Sequence, residues 1–512
     1  MALKILEVNV VHKKYEKGQV KVALLYPNKY PAGIESLAMQ ILYMLFNLER
    51  NFICQRVYVS PSYSAVETGM KLTDFHVICV TLQYENDYFN LINALRQSNI
   101  NPRSDERGLK PLIIGGGPCV TENPLPLSPF IDIFFIGEVE PIFQMLKEAI
   151  ETYVKSGRID SFSKIPGVYI PRTMLGKQVY KVWVRNLDQI PYPTGQVLPT
   201  ITGIFRGHPP GFGAGLLLEV SRGCPRKCSF CLIGCQNLPY RERSLTVLEE
   251  IIKKGLIKTS RKRVSIIASA FSDYSSKEEL LSYMVDHDIF PVLPSIRADS
   301  ISEDIIRLIR KAGEKGMTLA PETASDRLQG VINKGISLNH VLDATKKIIR
   351  GGIKKIKLYF MYGLPSETLQ ETLNIIDMVN SIASQGFRKK DITVNLTPFV
   401  PKPHTPMQSE PQMPLKELLT REKLLLKELS MHGYNVKSYD VKQARIQTVL
   451  SRGDLQVGEA LELAVKYGGG WSGWMKAVRD FKLDEEHYTG GMDDSNLPWS
   501  FIKVNPFIKE LT

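Results

Sequence analysis

The sequence predicts an α/β protein: a doubly wound parallel sheet, then a partial (β/α)6 barrel of the TIM type, then a small, mostly helical C-terminal region. Continuous runs of Val, Ile and Leu alternate with amphipathic helical stretches, and this alternation begins twice along the 512 residues. Such runs are typical of parallel strands that are covered on both faces. The length also exceeds the roughly 250–300 residues that one hydrophobic core supports. We therefore predict three parts, 1–200, 201–410 and 411–512.

The first alternation starts near Val20 and predicts strands and helices in turn. The strand runs are KVALLYPN, FICQRVYVS, FHVICVTLQY and PLIIGGG, and the helical stretches are GIESLAMQILYMLFNL and FNLINALRQ. Strands separated by helices in this way form a doubly wound sheet. The following segment GVYIPRTMLGKQVYKVWV predicts a hairpin, and IPYPTGQVLP leads to the second alternation.

The second alternation contains six strand-like runs, namely GLLLEVSRG, VSIIASA, FPVLPSI, GMTLAP, KIKLYF and ITVNLTPF. Helical stretches such as LTVLEEIIKKGL and EDIIRLIRKAG separate them, which predicts a partial barrel whose chemistry lies where the strands end. After about Gln408 the sequence is helical and then rich in Gly and Trp. We expect Trp471 and Trp474 to pack against the protein core; the alternatives are that they cover the barrel or stack on a substrate.

Composition is typical of a globular protein. Hydrophobic residues make up 43% of the chain and charged residues 23%. No run approaches the roughly 18 apolar residues that span a bilayer. The opening MALKILEVNVVHKKYEKG lacks the apolar core and the small-residue cleavage site of a signal peptide, so we expect a cytoplasmic protein.

The net charge of +12 favours an anionic partner such as RNA, a phospholipid headgroup or a phosphorylated metabolite. The alternative is a basic surface that is only solvated. Basic residues concentrate in 253–263 and 346–357, and both runs precede predicted strands. That position puts them near the end of the barrel opposite the expected chemistry, where solvated surface is the favoured interpretation.

Four of the seven cysteines crowd into one loop after the first predicted barrel strand. Cys224, Cys228 and Cys231 have the spacing CxxxCxxC. Three thiolates can ligate three irons of a [4Fe–4S] cubane and leave the fourth iron open for another ligand. Structural zinc is the alternative, but it prefers paired cysteines or histidines, and only Cys235 remains nearby. We predict that Cys235 is a loop or packing residue, because a fourth thiolate would close the open iron.

Eight blocks in order, over about residues 20–475, carry a resemblance: LLYPNKYPAGIESLAMQILYMLFN, GGGPCVTENPLPL, FFIGEVEPIF, SRGCPRKCSFC, LPSIRADS, LAPETASDRLQGVINKGI, KLYFMYGLPSET and TPFVPKPHTPMQ. They resemble the radical S-adenosylmethionine (SAM) superfamily, and more narrowly its members with an N-terminal cobalamin (B12)-binding-like domain. The blocks are most similar to those of uncharacterised radical SAM proteins. The resemblance implies that the open iron chelates SAM. It also implies that an external electron donor of the ferredoxin or flavodoxin type drives the cleavage of SAM to a 5′-deoxyadenosyl radical.

The resemblance further implies contacts to SAM. They are Phe230 beside the adenine, Glu322 and Ser325 toward the ribose or amino acid part, Ser269, Ser272 and Asp273 after the second barrel strand, and Arg297 toward the carboxylate. The superfamily usually has Gly-Gly-Glu after the second strand, whereas this sequence has ASAFSDY, so the assignment there stays open. A salt bridge is the alternative role of Arg297.

In the N-terminal domain the resemblance points to cobalamin contacts. Glycines after buried strands let the backbone approach a ligand, and the candidates are Gly115, Gly116, Gly117, Gly137 and Glu138. The first loop, YPNKYPAG, lacks the Asp-x-His-x-x-Gly element that supplies a histidine to cobalt in some relatives. Either cobalamin binds without a protein histidine, or the domain keeps the fold without the cofactor.

Methylthiotransferases of the superfamily hold a second cluster on three N-terminal cysteines, and this chain has Cys54, Cys79 and Cys119 there. Cys54 falls inside a strand run and no cysteine follows the first strand, so buried thiols are the favoured interpretation. His404, in PKPHTPMQ, is a candidate substrate contact, although a packing role is favoured.

Two functional hypotheses follow. In the first, the protein is an enzyme that modifies a carbon centre of tRNA or an isoprenoid lipid by methylation, methylthiolation, or carbon–carbon bond or ring formation. In the second, it is a noncatalytic nucleic-acid-binding or redox-sensing protein that uses the cluster structurally. SAM turnover distinguishes the two.

Overall fold

A twisted sheet forms the centre of the N-terminal part. The computed structural model describes residues 6–60, 62–200 and 215–504. The strands before residue 200 are β1 (Glu7–Val8), β2 (Val20–Tyr26), β3 (Phe52–Tyr58), β4 (Val77–Thr81), β5 (Leu112–Gly116), β6 (Ile133–Phe135), β7 (Val168–Tyr169), β8 (Val179–Tyr180) and β9 (Leu198–Pro199). Six of them form one sheet in the order β3-β2-β4-β5-β6-β7, and only β7 is antiparallel to its neighbour. The predicted doubly wound sheet is confirmed.

Helices cover both faces of this sheet. The helices of this part are α1 (Tyr30–Gly33), α2 (Leu37–Leu48), α3 (Asp87–Gln97), α4 (Pro118–Glu122), α5 (Phe143–Ser156) and α6 (Pro171–Met174). On β2, Val22 and Leu24 pack in the core that includes α2 and α5, whereas Ala23 and Leu25 pack in the core that includes α3. Because neighbouring side chains point to opposite faces, the strand must be apolar at every one of these positions.

The second part of the chain forms the barrel. Its strands are β10 (Leu216–Glu219), β11 (Ser221–Arg222), β12 (Arg241–Glu242), β13 (Arg263–Ile267), β14 (Phe290–Val292), β15 (Gly316–Glu322), β16 (Lys355–Tyr362), β17 (Ile392–Pro398) and β18 (Asn435–Ser438). Its helices are α7 (Leu232–Gln236), α8 (Leu245–Thr259), α9 (Lys277–Asp286), α10 (Glu303–Lys311), α11 (Asp326–Val331), α12 (Leu338–Arg350), α13 (Leu369–Ala383) and α14 (Leu415–Met431). The sheets β10-β13-β14 and β15-β16-β17-β18 are parallel, and a bridge between Ile296 and Leu319 joins them. All six predicted barrel strands are present.

β18 is a seventh strand of the barrel that the sequence did not predict. The pattern after Gln408 predicts only helices, yet β18 pairs in parallel with β17. The run NVKS contains one apolar residue and is partly or fully exposed along its length, so it has no strand-like periodicity. Its pairing comes from the packing of α14, which precedes it and forms a further β/α unit.

Side chains from the linker close the free edge of β10. The backbone N–H of Leu217 donates to Oε1 of Gln196 at 2.8 Å, and Nε2 of Gln196 donates to the carbonyl of Leu217 at 2.8 Å. The Tyr192 hydroxyl donates to the same carbonyl at 2.8 Å and accepts the N–H of Glu219 at 2.9 Å. These bonds replace a neighbouring strand at an otherwise unpaired edge.

The predicted hairpin over GVYIPRTMLGKQVYKVWV is wrong. β7 pairs with β6, and β8 pairs in parallel with β19 (Ile502–Lys503) near the other end of the chain. The segment between β7 and β8 contains α6. Each short strand therefore finds a distant backbone partner, for which the local pattern carries no signal.

The C-terminal helices pack on the N-terminal sheet. They are α15 (Val441–Arg452), α16 (Leu455–Lys466), α17 (Gly470–Phe481) and α18 (Glu485–Thr489). Trp474 is fully buried in the same core as Ile78 and Leu91, and its indole N–H donates to Glu485 at 2.7 Å. Trp471 packs partly buried against this core. Four helices of the predicted third part thus complete the first part, whereas α14 belongs to the barrel.

The predicted boundaries remain a prediction. The boundary at 200 and 201 meets the segment 201–214, which lies outside the described residues together with 1–5, 61 and 505–512. Within the described ranges, no helix has the length and apolarity needed to cross a membrane.

Candidate cluster and cofactor site

The three predicted metal ligands share one loop at the carboxyl end of the first barrel strand. Cys224, Cys228 and Cys231 lie between β11 and α7, and each is a partly exposed free thiol. Cys231 caps α7, because its Sγ accepts the backbone N–H of Gly234 at 3.4 Å. We call residues 224–231 the cluster loop.

Residues that follow α11 form hydrogen bonds with the backbone of the cluster loop. The side-chain amide of Asn333 donates to the carbonyl of Lys227 at 2.7 Å. The backbone N–H of Ser229 donates to the carbonyl of Ile332 at 2.8 Å. The loop conformation is therefore fixed by backbone contacts at two neighbouring points.

The three thiols of the cluster loop are more widely spaced than the ligands of a single zinc ion. Burial raises the pKa of Cys224, Cys228 and Cys231, so a metal must displace protons to bind them. In a tetrahedral zinc site the sulfur atoms lie about 3.8 Å apart, given zinc–sulfur bonds of about 2.3 Å. Within the described part of the chain these three sulfurs do not all lie within 4.8 Å of one another.

Cys235 lies next to the loop on α7. Its backbone N–H donates to the carbonyl of Cys231 at 3.3 Å, one helical turn earlier. Burial raises the pKa of Cys235 to about 11. Its predicted role as a packing residue stays a prediction.

An acidic and a basic side chain lie beside the predicted adenine contact. Nζ of Lys334 is 2.6 Å from Oε1 of Glu322 and 5.9 Å from the ring centroid of Phe230. Glu322 has φ +69°, and β15 shifts register between Leu319 and Glu322. A non-glycine residue held in this region stores strain of the kind found at ligand sites. Sequence reasoning missed Lys334, whose only signal is its place in the block LAPETASDRLQGVINKGI.

The predicted carboxylate contact, Arg297, already has protein partners. Its guanidinium is 2.8 Å from Asp299 and donates to the carbonyl of Lys334 at 2.9 Å. Its backbone N–H donates to Oγ of Ser272 at 2.9 Å. The alternative salt-bridge role is thus present within the same loop, and Ser272 links the ends of two strands.

The other predicted contacts are less uniform in their surroundings. Asp273 pairs with Arg226 of the cluster loop at 2.5 Å, while Ser269 is exposed after β13. Ser325 caps α11 and donates to Glu371 at 2.7 Å. The ion pair of Asp273 and the hydrogen bonds of Ser325 hold the loops and α11 in position around the site.

A cavity of about 480 Å³ lies between the N-terminal sheet and the cluster helix α7. We call it the interdomain cavity. Its N-terminal wall includes the predicted residues Gly115, Gly116, Gly117, Gly137 and Glu138. Its barrel wall includes Glu219, Arg222, Ile233, Gln236, Asn237 and Ile267. Its size falls in the range of small-molecule sites.

Most of these glycines are required by protein packing. Gly117 and Gly137 have φ of +112° and +113°, and a Cβ would lie 2.4 Å from the Leu82 carbonyl and 2.1 Å from the Val182 carbonyl, respectively. Gly116 differs, because a Cβ there would meet no atom closer than 4.0 Å. Gly116 therefore leaves space that a ligand can use.

Glu138 forms an ion network with the barrel. Its carboxylate contacts Arg222 at 2.8 Å and Arg241 at 2.9 Å, and accepts the N–H of Val184 at 2.7 Å. Arg222 also contacts Glu140 and Glu219. Burial raises the pKa of Glu138, but the two arginines outweigh it and the pKa lies below its usual value. Glu138 thus ties the N-terminal domain to the strand that precedes the cluster loop.

Lys181 is a cavity residue that sequence reasoning missed. Its ammonium donates to the carbonyls of Gln236 at 2.6 Å and Leu238 at 2.7 Å, at the end of α7. Burial lowers the pKa of Lys181 to about 8. No sequence feature pointed to Lys181 as a site residue, because it lies in the segment that predicts a hairpin.

His404 contacts the N-terminal domain, and one of the three N-terminal cysteines, Cys79, lines the interdomain cavity. Nε2 of His404 bonds the carbonyl of Glu122 at 2.9 Å, and burial lowers its pKa to about 4. Cys54 lies on β3 and Cys79 on β4, and all three N-terminal thiols are buried. The thiol of Cys119 lies close to the carboxylates of Glu85 and Glu122, which form a buried acidic cluster with it. Lys402 contacts Glu122 at 3.4 Å and neutralises this cluster.

Comparisons with known proteins agree with this architecture. Residues 38–171 match the family described as radical SAM proteins, N-terminal, and residues 218–379 match the radical SAM superfamily. An uncharacterized protein of Methanocaldococcus jannaschii is 31% identical over 486 residues, which cover 94% of this chain and 98% of that protein. An uncharacterized methyltransferase of Pyrococcus horikoshii is 26% identical over 51% of this chain and 55% of that protein.

Among solved structures, the radical SAM methyltransferase TsrM from Kitasatospora setae, with cobalamin and a [4Fe–4S] cluster bound, has a similar fold. The TM-score is 0.58 at 14% identity, over 91% of this chain and 99% of that one. The predicted cofactors, a [4Fe–4S] cluster and SAM, follow from the superfamily match. Full-length similarity, the two family matches and the fold together show that this chain belongs to the radical SAM superfamily of enzymes.

Proposed function

We propose that this protein is a cobalamin-dependent radical SAM transferase that methylates a carbon centre. One observation carries the proposal: the interdomain cavity is bounded on one side by the open backbone of Gly116 and on the other by the helix that follows the cluster loop. A cofactor in this cavity would adjoin the cluster loop. The full-length fold similarity to TsrM supports the same assignment.

In this proposal Cys224, Cys228 and Cys231 hold the [4Fe–4S] cluster. When bound, the cluster supplies the electron that cleaves SAM to methionine and a 5′-deoxyadenosyl radical. The contacts of Asn333 and Ser229 keep the loop in place. Cys235 stays outside the ligand set, so one iron remains open to SAM.

Glu322, Lys334 and Phe230 are the best-supported SAM contacts. Phe230 provides an aromatic face, and the Lys334–Glu322 pair offers one charge of each sign beside it. SAM carries an ammonium and a carboxylate on its amino acid part, so each of these charges has a matching partner. Arg297, Ser269, Ser272, Asp273 and Ser325 are proposed to shape the surrounding loops.

The cobalamin site is proposed to be the interdomain cavity. Its N-terminal wall combines apolar side chains with neutral polar groups such as Ser36, Gln83 and Thr121, and the ion network of Glu138 and Arg222 lies where this wall meets the barrel. No histidine lines the cavity among the described residues, so the protein offers no imidazole to cobalt there. When bound, the corrin would pass on a methyl group that it takes from a second molecule of SAM. Glu138 and Lys181 hold the barrel wall of the cavity in position.

An external one-electron donor of the ferredoxin or flavodoxin type would reduce the cluster. Arg226 and Lys227 on the cluster loop are exposed and basic, which suits an acidic donor. Such donors work in the cytoplasm, where we place this protein.

The test uses anaerobically reconstituted full-length protein with SAM, dithionite and added cobalamin. We expect about four irons per chain, 5′-deoxyadenosine as a product, and cobalamin retained after gel filtration. A Gly116→Leu variant should lose cobalamin but keep the cluster, because the new side chain fills open space. An intact cluster that never cleaves SAM would favour the noncatalytic alternative, and failure to retain cobalamin would leave radical chemistry without methyl transfer.

A further inference from the structure

The inner wall of the barrel is open and basic along β16. Lys355, Lys357 and Tyr359 are exposed, whereas Ile356 and Leu358 alternate with them and pack against the surrounding helices. In an ordinary TIM barrel the inward side chains form a packed core. Here they face a solvent-accessible space, which we call the lumen.

The neighbouring strands continue this polar wall. Inward positions are Thr318 on β15, Thr393 and Asn395 on β17, and Asn435 and Lys437 on β18, in register with β16. Nδ2 of Asn395 is buried and has no hydrogen-bond partner among the described residues. A polar group left in this state suggests a missing ligand or water.

A cavity of about 490 Å³ opens at the amino ends of these strands. Lys355, Lys357 and Lys390 line it, together with the carboxylates Glu314 and Asp391. Glu314 accepts the backbone N–H groups of residues 315 and 316. Asp391 pairs with the exposed Arg388.

The two lysines of β16 are not paired with the carboxylates that line the same cavity. Neither Lys355 nor Lys357 makes an ion pair within the described part of the chain. They lie two residues apart on one strand face, so their ammonium groups can meet one ligand between them. Two unpaired cations inside a cavity are a site for an anion.

We propose that the lumen binds the anionic end of the substrate, a phosphate or pyrophosphate ester, on Lys355 and Lys357. The inference rests on the proposed function, in which the other end of the substrate carries the carbon that is methylated. Phe360 pairs with Glu322 in register, and Lys357 precedes Phe360 by three residues, which corresponds to about 10 Å along the strand. The reacting carbon would therefore lie on the order of 10 Å from the ester. A cavity of about 490 Å³ is the size of a small-molecule site, which favours a phosphate ester over a folded RNA.

The experiment titrates pyrophosphate into the reconstituted protein by calorimetry at fixed ionic strength. We expect Lys355→Gln/Lys357→Gln to bind about 100-fold more weakly, since each charged contact contributes about tenfold. The matched control is Lys354→Gln, which is exposed at the adjacent position outside the cavity and should change affinity by less than about threefold. Thermal unfolding verifies that each variant is folded.

The remaining arms identify the source of the ester. A long-chain alkyl phosphate in detergent that binds more tightly than pyrophosphate indicates a lipid; weaker binding indicates a water-soluble ester. Unchanged affinity in the double variant, an equal loss in Lys354→Gln, or tighter binding of a single-stranded RNA at the same lysines overturns the proposal. The titration needs no SAM turnover, so phosphate binding without 5′-deoxyadenosine would refute the proposed function alone.

Discussion

The two parallel sheets of this protein differ in how their faces are covered. Every residue of β4 is buried, as are all but one of β2, because helices pack on both faces of the N-terminal sheet. β16 is buried only at alternate positions, because helices cover one face and the lumen borders the other. The difference teaches that strand composition separates a structural sheet from one that lines a functional space.

The proposed chemistry lies at the carboxyl end of the barrel strands, where a change of one thiol should have the largest effect. Cys228→Ala should abolish both the cluster absorption and SAM cleavage, because two thiolates cannot hold the cubane. The matched control Cys235→Ala should retain both, and thermal unfolding of the apoproteins should be similar. Loss of the cluster in Cys235→Ala would contradict the ligand assignment.

Placing a lysine in the N-terminal sheet and removing one from the barrel should change the stability by very different amounts. Val22→Lys places an unpaired ammonium at a fully buried position of the N-terminal sheet and should lower the free energy of unfolding by about 5 kcal/mol. Lys357→Leu changes an exposed lumen position and should change it by less than about 0.5 kcal/mol. Denaturant titration of both variants measures these values. A large cost in Lys357→Leu would mean that the lumen is a packed core.

A third pair of variants tests the contact between the N-terminal domain and the barrel. Glu138→Gln removes a buried partner of two arginines and should lower the free energy of unfolding by about 3 kcal/mol at pH 7. The exposed control Glu148→Gln should change it by less than about 0.5 kcal/mol.

The same variant has a pH signature. The folded-state pKa of Glu138 is lower than the unfolded value of about 4.3, so its contribution is present above pH 4.3 and lost as the pH falls through the folded pKa. Thermal unfolding between pH 7 and pH 3 should therefore show a steeper acid loss in the wild type than in Glu138→Gln. Parallel curves would show that this carboxylate does not stabilise the fold.

Much of the fold was predictable because it depends on local patterns. The runs VKVALLY and VICVT are apolar at nearly every position, and only a strand covered on both faces requires this. The six barrel runs were predictable from their regular alternation with helical stretches, although β15, β16 and β17 are buried only at alternate positions. β18 and the pairing of β8 were not predicted, because strands of four and two residues are too short to show a periodic pattern.

The candidate site was predictable only in part. The spacing of Cys224, Cys228 and Cys231 is a local feature, and so is the aromatic residue before the last cysteine. Glu138 was predicted to contact cobalamin; it lines the interdomain cavity and also pairs with arginines from the barrel, which no local pattern indicates. The predicted glycines line the cavity, but most are required by backbone contacts with distant carbonyls.

By itself, the sequence determined the alternation of strands and helices and the placement of three thiols after the first barrel strand. Both are set within a few residues, where periodicity and spacing act. The tertiary structure alone decided that Trp474 covers the N-terminal sheet, that Lys334 meets Glu322, and that Glu138 joins the two domains. Trp474 and Glu138 meet partners about a hundred residues or more away, and the Lys334–Glu322 pair depends on a bulge and a left-handed backbone at Glu322. Such contacts exist only once the sheets have formed and packed.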